Sequence, residues 1–322
     1  MPLASRLVRC CFRHSPLRVP WRWLGLSLGL LLELTACSTS QAVRPELLAR
    51  IRRGAEQVNF GQATVRVPLV GTSTLPLVSV LVNGKGPFRF LFDAGGNVVT
   101  VKNSVVRAVG GRVLQKRGKT DVVGIDSLQV GAVVFRNVTA GALEELDVDG
   151  VLGFNLFREG LLTLDYPAQQ LTWALGGLPA PDGRQVFAYQ LRDRMPYLPV
   201  RLGQDTTWFN FDTGAAQWFY LPKALAPRLP LASPPQAGPA SWNQQAGTQR
   251  NETARLRIDL SIGPYRVLTP YFLFTQDTEA LLGSGFLQHF VVTFDLSRQR
   301  VRLARPDTVP LAMPEVRRAG MK

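Results

Sequence analysis

Histidine and cysteine are scarce in this chain of 322 residues, which contains two His and three Cys. His14, Cys10 and Cys11 lie in a basic and apolar leader, so the rest of the chain has only Cys37 and His289. One remaining Cys excludes an intramolecular disulfide and a cysteine-based metal site. A Ser-His-Asp or Cys-His mechanism would depend on His289 alone, which nearly excludes both. We therefore expect no metal and no cofactor.

Acidic residues are outnumbered: 23 Asp and Glu face 37 Lys and Arg, which gives a formal net charge of +14. Such a surface is compatible with nucleic acid, with anionic lipid or with acidic cell-wall material. The sequence has no basic stripe interleaved with aromatic residues, and its Arg residues are scattered. We therefore expect no nucleic-acid partner.

A hydrophobic run long enough to span a membrane is also missing. Five Arg precede the apolar stretch "WLGLSLGLLLELTAC", and its segment from Leu24 to Leu32 has the length of a signal-peptide core. Residues 34–37, Leu-Thr-Ala-Cys, resemble the bacterial lipobox, in which the Cys becomes the lipidated first residue. Glu33 is unusual there, so an ordinary secretory signal or a start codon assigned too early are alternatives.

This leader predicts a signal peptide over residues 1–36 with lipidation at Cys37. The expected location is the bacterial cell envelope, with the protein anchored by lipid and facing the periplasm or the exterior. The membrane would then be a partner through the lipid on Cys37.

Long segments with helical periodicity are absent from the rest of the chain. A polar spacer and a short amphipathic helix starting near Pro45 are predicted over residues 37–60. From Gly61 onward, alternating apolar runs such as "ATVRVPLV" are separated by Gly, Asn and Pro at intervals typical of strands. The pattern predicts an all-β fold with a few short helices.

An internal repeat organises the β region. "GVLGFNLFREGLLTLDYPAQQLTW" from Gly150 aligns without a gap to "ALLGSGFLQHFVVTFDLSRQRVRL" from Ala280, and the preceding segments match as well. The copies predict an N-terminal lobe over residues 61–178, a C-terminal lobe over 179–306 and a basic tail over 307–322. Two copies favour a pair of β-barrel-like lobes related by a pseudo-twofold axis, which brings equivalent residues together.

Each copy contains an Asp between an apolar strand and a Gly-containing turn, in "FLFDAGGNVV" and in "FNFDTGAAQW". The pseudo-twofold relation predicts that Asp93 and Asp212 face each other. Two carboxylates sharing one site hold a single proton, so one acts as base and the other as acid on a water molecule. The alternative for each Asp alone is a structural turn cap. The sequence does not tell which Asp holds the proton, because a coupled pair titrates as a unit.

The "DTGA" segment at residues 212–215 resembles the active-site motif of the aspartic protease family, particularly its retropepsin-like and pepsin-like members. The "GVLGFNLF" and "ALLGSGFL" segments are similar to the apolar-apolar-Gly segment of that fold. The resemblance implies two β lobes in one chain, a catalytic pair and supporting residues in the active-site turns. The implied residues are the pair Asp93 and Asp212, the turn residues Ala94, Gly95, Thr213 and Gly214, and Gly153 and Gly283 packed behind the turns.

The resemblance also implies a hydroxyl from Thr213 that bonds across the lobe interface, and a β-hairpin flap over the substrate. Ala94 departs from the family, which has Thr or Ser at this position, so a second such bond is lost. The flap candidates are "VLQKRGKTDVVGI" around Gly118 and "LASPPQAGPASWNQQAGTQRNE" in the second copy. The first candidate lacks the aromatic residue that the resemblance implies for a flap. Trp242 in the second candidate is a possible replacement for it.

Other polar residues have simpler interpretations. Asp165 and Asp295 are predicted to be structural, since each precedes a hairpin turn. His289 is expected to pack or to face solvent, because no ligand cluster accompanies it. Arg52, Arg53, Arg317 and Arg318 are interpreted as solvated charge, with a membrane-surface role for the first pair if Cys37 is lipidated.

The function predicted first is an exported aspartic endopeptidase that acts on peptides or proteins as a monomer. A second hypothesis is an inactive two-lobed module that binds peptides, with Ala94 as a sign of decay. A third, a structural lipoprotein of the envelope, depends on Cys37 alone. The segment "VRPELLARIRRGAEQV" remains open as a pro-segment, a spacer or a part of the first lobe.

Overall fold

The computed structural model of the protein describes residues 42–71, 74–243 and 247–313. The predicted signal peptide, Cys37, and Arg317 and Arg318 lie outside these residues. Within the described part of the chain, no helix is long and apolar enough to cross a membrane.

Short strands make up most of the first half of the chain. Two helices and a 3₁₀ turn at Phe154–Leu156 interrupt them. The elements are α1 (Pro45–Arg53), β1 (Gln57–Phe60), β2 (Thr64–Pro68), β3 (Leu77–Val82), β4 (Lys85–Asp93), β5 (Thr100–Lys102), α2 (Asn103–Val109), β6 (Arg112–Gln115), β7 (Asp121–Val130), β8 (Val133–Leu143), β9 (Gly150–Gly153), β10 (Leu161–Asp165) and β11 (Gln170–Ala174).

The second half also consists mostly of short strands, with a 3₁₀ helix at Lys223–Arg228. Its elements are β12 (Val186–Ala188), β13 (Gln190–Arg192), β14 (Met195–Leu202), β15 (Asp205–Asp212), β16 (Phe219–Pro222), β17 (Gln236–Ala237), β18 (Ser241–Asn243), β19 (Gly247–Gln249), β20 (Glu252–Arg255), β21 (Leu260–Ile262), β22 (Tyr265–Val267), β23 (Tyr271–Thr275), β24 (Ala280–Gly283), α3 (Ser284–Leu287), β25 (Val291–Asp295) and β26 (Arg300–Ala304).

The N-terminal sheet closes on itself. Its eight strands run in the order β1-β8-β5-β9-β4-β3-β7-β6, and a further pairing of β7 with β8 closes six of them into a barrel. Closure follows from the apolar alternation of the strands, which gives each one an inner face; Phe90 and Phe92 of β4 are fully buried. The strand β1, which precedes the predicted lobe boundary at Gly61, pairs with β8.

The C-terminal sheet repeats this arrangement in open form. Its main path is β17-β20-β23-β16-β24-β15-β14-β21-β22, and β13 pairs with β14. In both sheets the strand ending in Asp lies parallel to the strand ending in Leu-Gly: β4 beside β9 and β15 beside β24. The prediction of an all-β fold with two lobes is confirmed.

A third sheet contains strands from both copies, in the order β12-β26-β25-β10-β11-β2. Its centre is the antiparallel pair β10 and β25, in which Thr163 lies opposite Thr293 and their hydroxyl oxygens are 3.0 Å apart. These two residues are equivalent in the sequence repeat. The pairing is therefore symmetric about them, as a pseudo-twofold relation requires.

The segment around α1, whose role the sequence leaves undecided, packs on the N-terminal sheet. Leu47 and Ile51 on the apolar face of α1 form a cluster with Val122 of β7, joined by the partly buried Val98 and Leu114. The carbonyl of Ile51 accepts a hydrogen bond of 2.8 Å from the Asn155 side chain. The segment thus packs on the surface of the first lobe.

Candidate active site

The two predicted aspartates end equivalent strands. Asp93 closes β4 opposite Gly153 of β9, and Asp212 closes β15 opposite Gly283 of β24. Each Asp follows a strand with buried phenylalanines, so the chain leaves the core at the carboxyl end of the strand. Glycine at the opposing positions is required by close approach. A Cβ on Gly153 would lie 2.5 Å from the Val98 carbonyl oxygen, and one on Gly283 would overlap the carbonyl of Gln217.

The turns after the aspartates have the same hydrogen bonds. The N–H of Gly95 donates to Asp93 Oδ1 at 2.9 Å, and the N–H of Gly214 donates to Asp212 Oδ1 at 2.9 Å. Each turn closes an Asx-type ring in which the carboxylate binds the backbone two residues later. The turn-capping alternative is therefore real, but it describes only one oxygen of each carboxyl.

The two turns lie against each other. A Cβ on Gly95 would come within 2.7 Å of Asp212 Cγ, and a Cβ on Gly214 within 3.1 Å of Asp93 Cγ. Each turn glycine thus touches the carboxyl group of the other copy. Since any side chain would separate the two carboxyls, the glycines are needed for close approach rather than for a left-handed backbone.

A single threonine ties the turns together. The Thr213 hydroxyl donates to the carbonyl oxygen of Phe92 at 2.7 Å and accepts from the N–H of Ala94 at 2.9 Å. Thr213 and Ala94 are both fully buried. Ala94 has no hydroxyl to make the equivalent bonds to the C-terminal copy. The side-chain hydrogen bonds between the two turns are therefore made by Thr213 alone.

The electrostatics of the pair follow from this contact. Burial raises the pKa of the Asp93 carboxyl, while hydrogen bonds from Gly95 and other backbone N–H groups partly offset the effect. Burial raises the pKa of Asp212 well above its ordinary value, and the negative charge of Asp93 raises it further. Two carboxyl groups in such contact hold one proton between them over a range of pH, which suits them to act as an acid and a base.

Sequence reasoning missed four residues around the pair. Ser284, directly after Gly283, donates its hydroxyl to the Thr213 carbonyl at 2.6 Å, and Tyr166 lies 2.8 Å from the same hydroxyl. On the exposed side, Asn97 donates to the Asp193 carboxylate at 2.7 Å. The repeat contained a usable signal for the first two, because Ser284 and Tyr166 stand where the other copy has the apolar Phe154 and Leu296.

The first flap candidate is a β-hairpin of β6 and β7. Its connection contains Gly118 in a left-handed conformation with φ of 84°. The carboxylate of Asp121 accepts from the Arg117 N–H at 2.7 Å and lies 3.2 Å from the Lys116 ammonium. Leu114 in this hairpin contacts the α1 cluster. Its role as a flap stays a prediction.

The second flap candidate includes the short hairpin of β18 and β19. The side chain of Trp242 and residues 244–246 lie outside the described residues.

The remaining polar residues have the structural roles predicted for them. Asp165 accepts from the Ala168 N–H at 2.9 Å, and the fully buried Asp295 accepts from the Leu178 N–H at 2.8 Å. His289 packs on Trp218 with ring centres 4.9 Å apart. Among the described residues, no group of three His, Cys, Asp or Glu could hold a metal ion.

Comparison with known proteins agrees with this geometry. Residues 78–156 match the family model described as aspartyl protease. The match contains Asp93, its turn and Gly153, whereas the Asp212 copy lies beyond it. No curated protein matches the chain. The match supports peptidase activity at the level of the family and implies a peptide or protein substrate. Together with the two-lobed all-β fold, it confirms the predicted resemblance to the retropepsin-like aspartic protease family.

Proposed function

We propose that this protein is an aspartic endopeptidase in which Asp93 and Asp212 activate one water molecule. One observation carries the proposal: each turn glycine lies against the carboxyl group of the other copy, at 2.7 and 3.1 Å from a Cβ position to Cγ. Separate turn caps have no need of such contact. A half-buried pair of carboxyls costs free energy, because each ionised group loses hydration.

The reaction follows from a pair that shares one proton. The ionised carboxylate takes a proton from water while the water oxygen bonds to the peptide carbonyl carbon, and the protonated carboxyl gives its proton to the carbonyl oxygen. When the tetrahedral intermediate collapses, the carboxyl that took the proton from water gives it to the nitrogen, the C–N bond breaks, and one hydroxyl of the intermediate returns its proton to the other carboxylate. The products are a carboxylic acid and an amine, and the pair again holds one proton.

We also propose export and lipid anchoring at Cys37, with action on peptides in the bacterial envelope as a monomer. The support is the leader sequence, with its apolar core ending in Leu-Thr-Ala-Cys. A Cys37→Ala substitution would move the protein from the membrane fraction to the soluble fraction on cell fractionation. Unchanged membrane attachment would contradict the lipid anchor.

The catalytic proposal is tested with a mixed peptide library and the full chain in detergent, from acid to neutral pH. We expect cleavage that falls by about 1,000-fold or more in Asp93→Asn and in Asp212→Asn, since each removes one partner of the acid–base pair. Asp165→Asn is the matched control, because it makes the same chemical change in a turn of the shared sheet and should keep activity.

A second function class, a binding module without catalysis, is favoured by the missing hydroxyl at Ala94. Folded protein that binds library peptides but cuts none at any pH would support this alternative. It would exclude the endopeptidase.

A further inference from the structure

A line of buried hydroxyl groups leads from the shared sheet to the Asp212 turn. Tyr166 follows β10, and its hydroxyl lies 2.8 Å from Ser284 Oγ. Ser284 in turn donates to the carbonyl oxygen of Thr213 at 2.6 Å. A serine has one hydroxyl hydrogen, so the Tyr166 hydroxyl must be the donor in the first bond. All three residues are buried, with exposed fractions of 4%, 0% and 0% in the order named.

The receiving carbonyl belongs to a peptide group that also touches Asp212. The Thr213 carbonyl and the Gly214 N–H form one peptide unit, and this N–H donates to Asp212 Oδ1 at 2.9 Å. A hydrogen bond accepted at the carbonyl polarises the peptide and strengthens the bond that its N–H donates. The Gly214 N–H lowers the pKa of Asp212 against the effect of burial. The hydroxyl line can thus act on the carboxylate without touching it.

The other copy has no such line. The equivalents of Ser284 and Tyr166 are Phe154 and Leu296, which have no hydrogen-bonding side chain. The backbone bond is present in both copies: Phe154 N–H donates to Gly96, as Ser284 N–H donates to Ala215, at 2.8 Å in each case. The difference between the copies is therefore confined to the side chains. Only the peptide that donates to Asp212 is held by hydroxyl groups.

We propose that Tyr166 is a positioning residue for Asp212, acting through Ser284 and the Thr213–Gly214 peptide. The inference rests on the proposed function in so far as its effect on rate is concerned. Its effect on the Asp212 carboxyl does not depend on catalysis. Tyr166 and Ser284 hold the peptide that holds the carboxylate, and they make the two halves of the pair chemically different.

The test uses Tyr166→Phe in the full chain, which removes one hydroxyl and keeps the ring. We expect kcat to fall about 3- to 10-fold, the effect of one lost hydrogen bond of ordinary strength, with KM within about twofold of wild type. The limb of the pH–rate profile that is set by Asp212 should move to higher pH, because this carboxylate receives a weaker hydrogen bond. Titratable groups that interact with Asp212 are Asp93, Tyr166 and Tyr220.

Tyr265→Phe is the matched control. Tyr265 is buried, and its hydroxyl donates to the backbone carbonyl of Leu303 at 2.8 Å, a tyrosine hydrogen bond of the same length away from the aspartates. It should lower thermal stability without changing kcat or the pH profile. If Tyr166→Phe behaves like Tyr265→Phe, Tyr166 is merely structural and the inference is overturned.

A double-mutant cycle tests the route through Ser284. If Tyr166 acts through this hydroxyl, then Tyr166→Phe should have little further effect on kcat in a Ser284→Ala background. Full additivity of the two losses would overturn the route.

A readout without catalysis separates this inference from the proposed function. The Asp212 carboxyl carbon, assigned by its loss in Asp212→Asn, is titrated by NMR in ¹³C-aspartate-labelled protein. A titration that moves to higher pH in Tyr166→Phe supports the inference even if wild-type protein cuts no peptide. A titration and a rate that both stay at wild-type values, in protein that cuts peptides, overturn the inference and leave the proposed function standing.

Discussion

The two active-site turns share their carboxylates, glycines and backbone hydrogen bonds but differ in the side chains that support them. In the Asp212 turn, Thr213 grips the opposite strand through its hydroxyl, and Ser284 holds the Thr213 carbonyl. In the Asp93 turn the corresponding residues are Ala94 and Phe154, both buried and apolar. The hydroxyl that bonds the two turns together therefore comes from the C-terminal copy. Both copies have the Asp and Gly residues of the turn, whereas only the C-terminal copy has the supporting hydroxyl groups.

The glycines are the place where this comparison is most easily broken. Gly95→Ala would bring a Cβ to 2.7 Å from Asp212 Cγ, closer than real Cβ contacts, whereas Gly214→Ala reaches only 3.1 Å from Asp93 Cγ. We expect Gly95→Ala to lower kcat at least about 100-fold, since a displacement near 1 Å has that effect. Gly214→Ala should lower kcat less. Equal losses in a peptide-cleavage assay would contradict the difference between the turns.

Removal of the threonine grip should affect stability next most strongly. Thr213→Ala leaves the Ala94 N–H and the Phe92 carbonyl without this partner, and a buried unsatisfied group costs about 1–3 kcal/mol. Denaturant unfolding would measure the loss. Thr163→Ala is the control, since it removes another hydroxyl between the copies, at 3.0 Å from Thr293, in a partly buried setting. A larger loss in the control would show that the turns do not depend on Thr213.

The charge of the pair should make stability depend on pH. Burial and Asp93 raise the pKa of Asp212 in the folded protein, so the protonated form contributes stability that is complete below the ordinary Asp pKa. That stability is lost as the pH rises through the folded pKa. Near neutral pH, Asp212→Asn should therefore have a free energy of unfolding that is higher than that of wild type by about 1 kcal/mol or more. The difference should close in acid.

Asp93→Asn provides the comparison for this effect. Burial raises the pKa of Asp93, and hydrogen bonds from Gly95, from the Asp212 side chain and from other backbone groups oppose this rise, whereas the charge and side chain of Asp93 add to the rise at Asp212. The stabilisation of Asp93→Asn near neutral pH should be smaller than that of Asp212→Asn. Thermal unfolding of both variants across pH would decide, and a gap that widens in acid would reverse the assigned sign.

The smallest expected effect is a repair of the asymmetry. Ala94→Ser supplies the first copy with a hydroxyl at the position equivalent to Thr213, where it can donate to the Phe211 carbonyl as Thr213 donates to Phe92. We expect a gain of about 0.5–1.5 kcal/mol in the free energy of unfolding, the net contribution of one hydrogen bond. A loss of stability would mean that the tightly packed site around Ala94 has no room for the oxygen.

Much of this fold could be predicted because the information is local or duplicated. Alternation along "FRFLFD" predicts a strand with buried Phe90 and Phe92, and both are fully buried. The gap-free repeat predicts that equivalent residues meet, and Thr163 meets Thr293 as Asp93 meets Asp212. Gly153 and Gly283 could be matched to each other because each stands twelve residues before an equivalent Asp, Asp165 or Asp295, in the gap-free part of the repeat.

The partners of these residues could not be predicted, because they depend on contacts between distant segments. Tyr166 and Ser284 are 118 residues apart. Their difference from the equivalent residues of the other copy marks both as unusual, but it does not indicate that they bond to each other. The packing of α1 against Val122 and Leu114 also escaped prediction. Amphipathic periodicity tells that a helix has an apolar face, but not which surface covers it.

The sequence by itself determined the strands, the duplication and the two Asp-containing turns, since side-chain alternation and glycine requirements are written in neighbouring residues. Tertiary structure alone decided how close the carboxyls lie, which of them receives the stronger support, and where α1 packs. These depend on contacts through space: desolvation and charge repulsion between Asp93 and Asp212 exist only when the lobes meet. The same assembly gives Thr213 and Ser284 their partners.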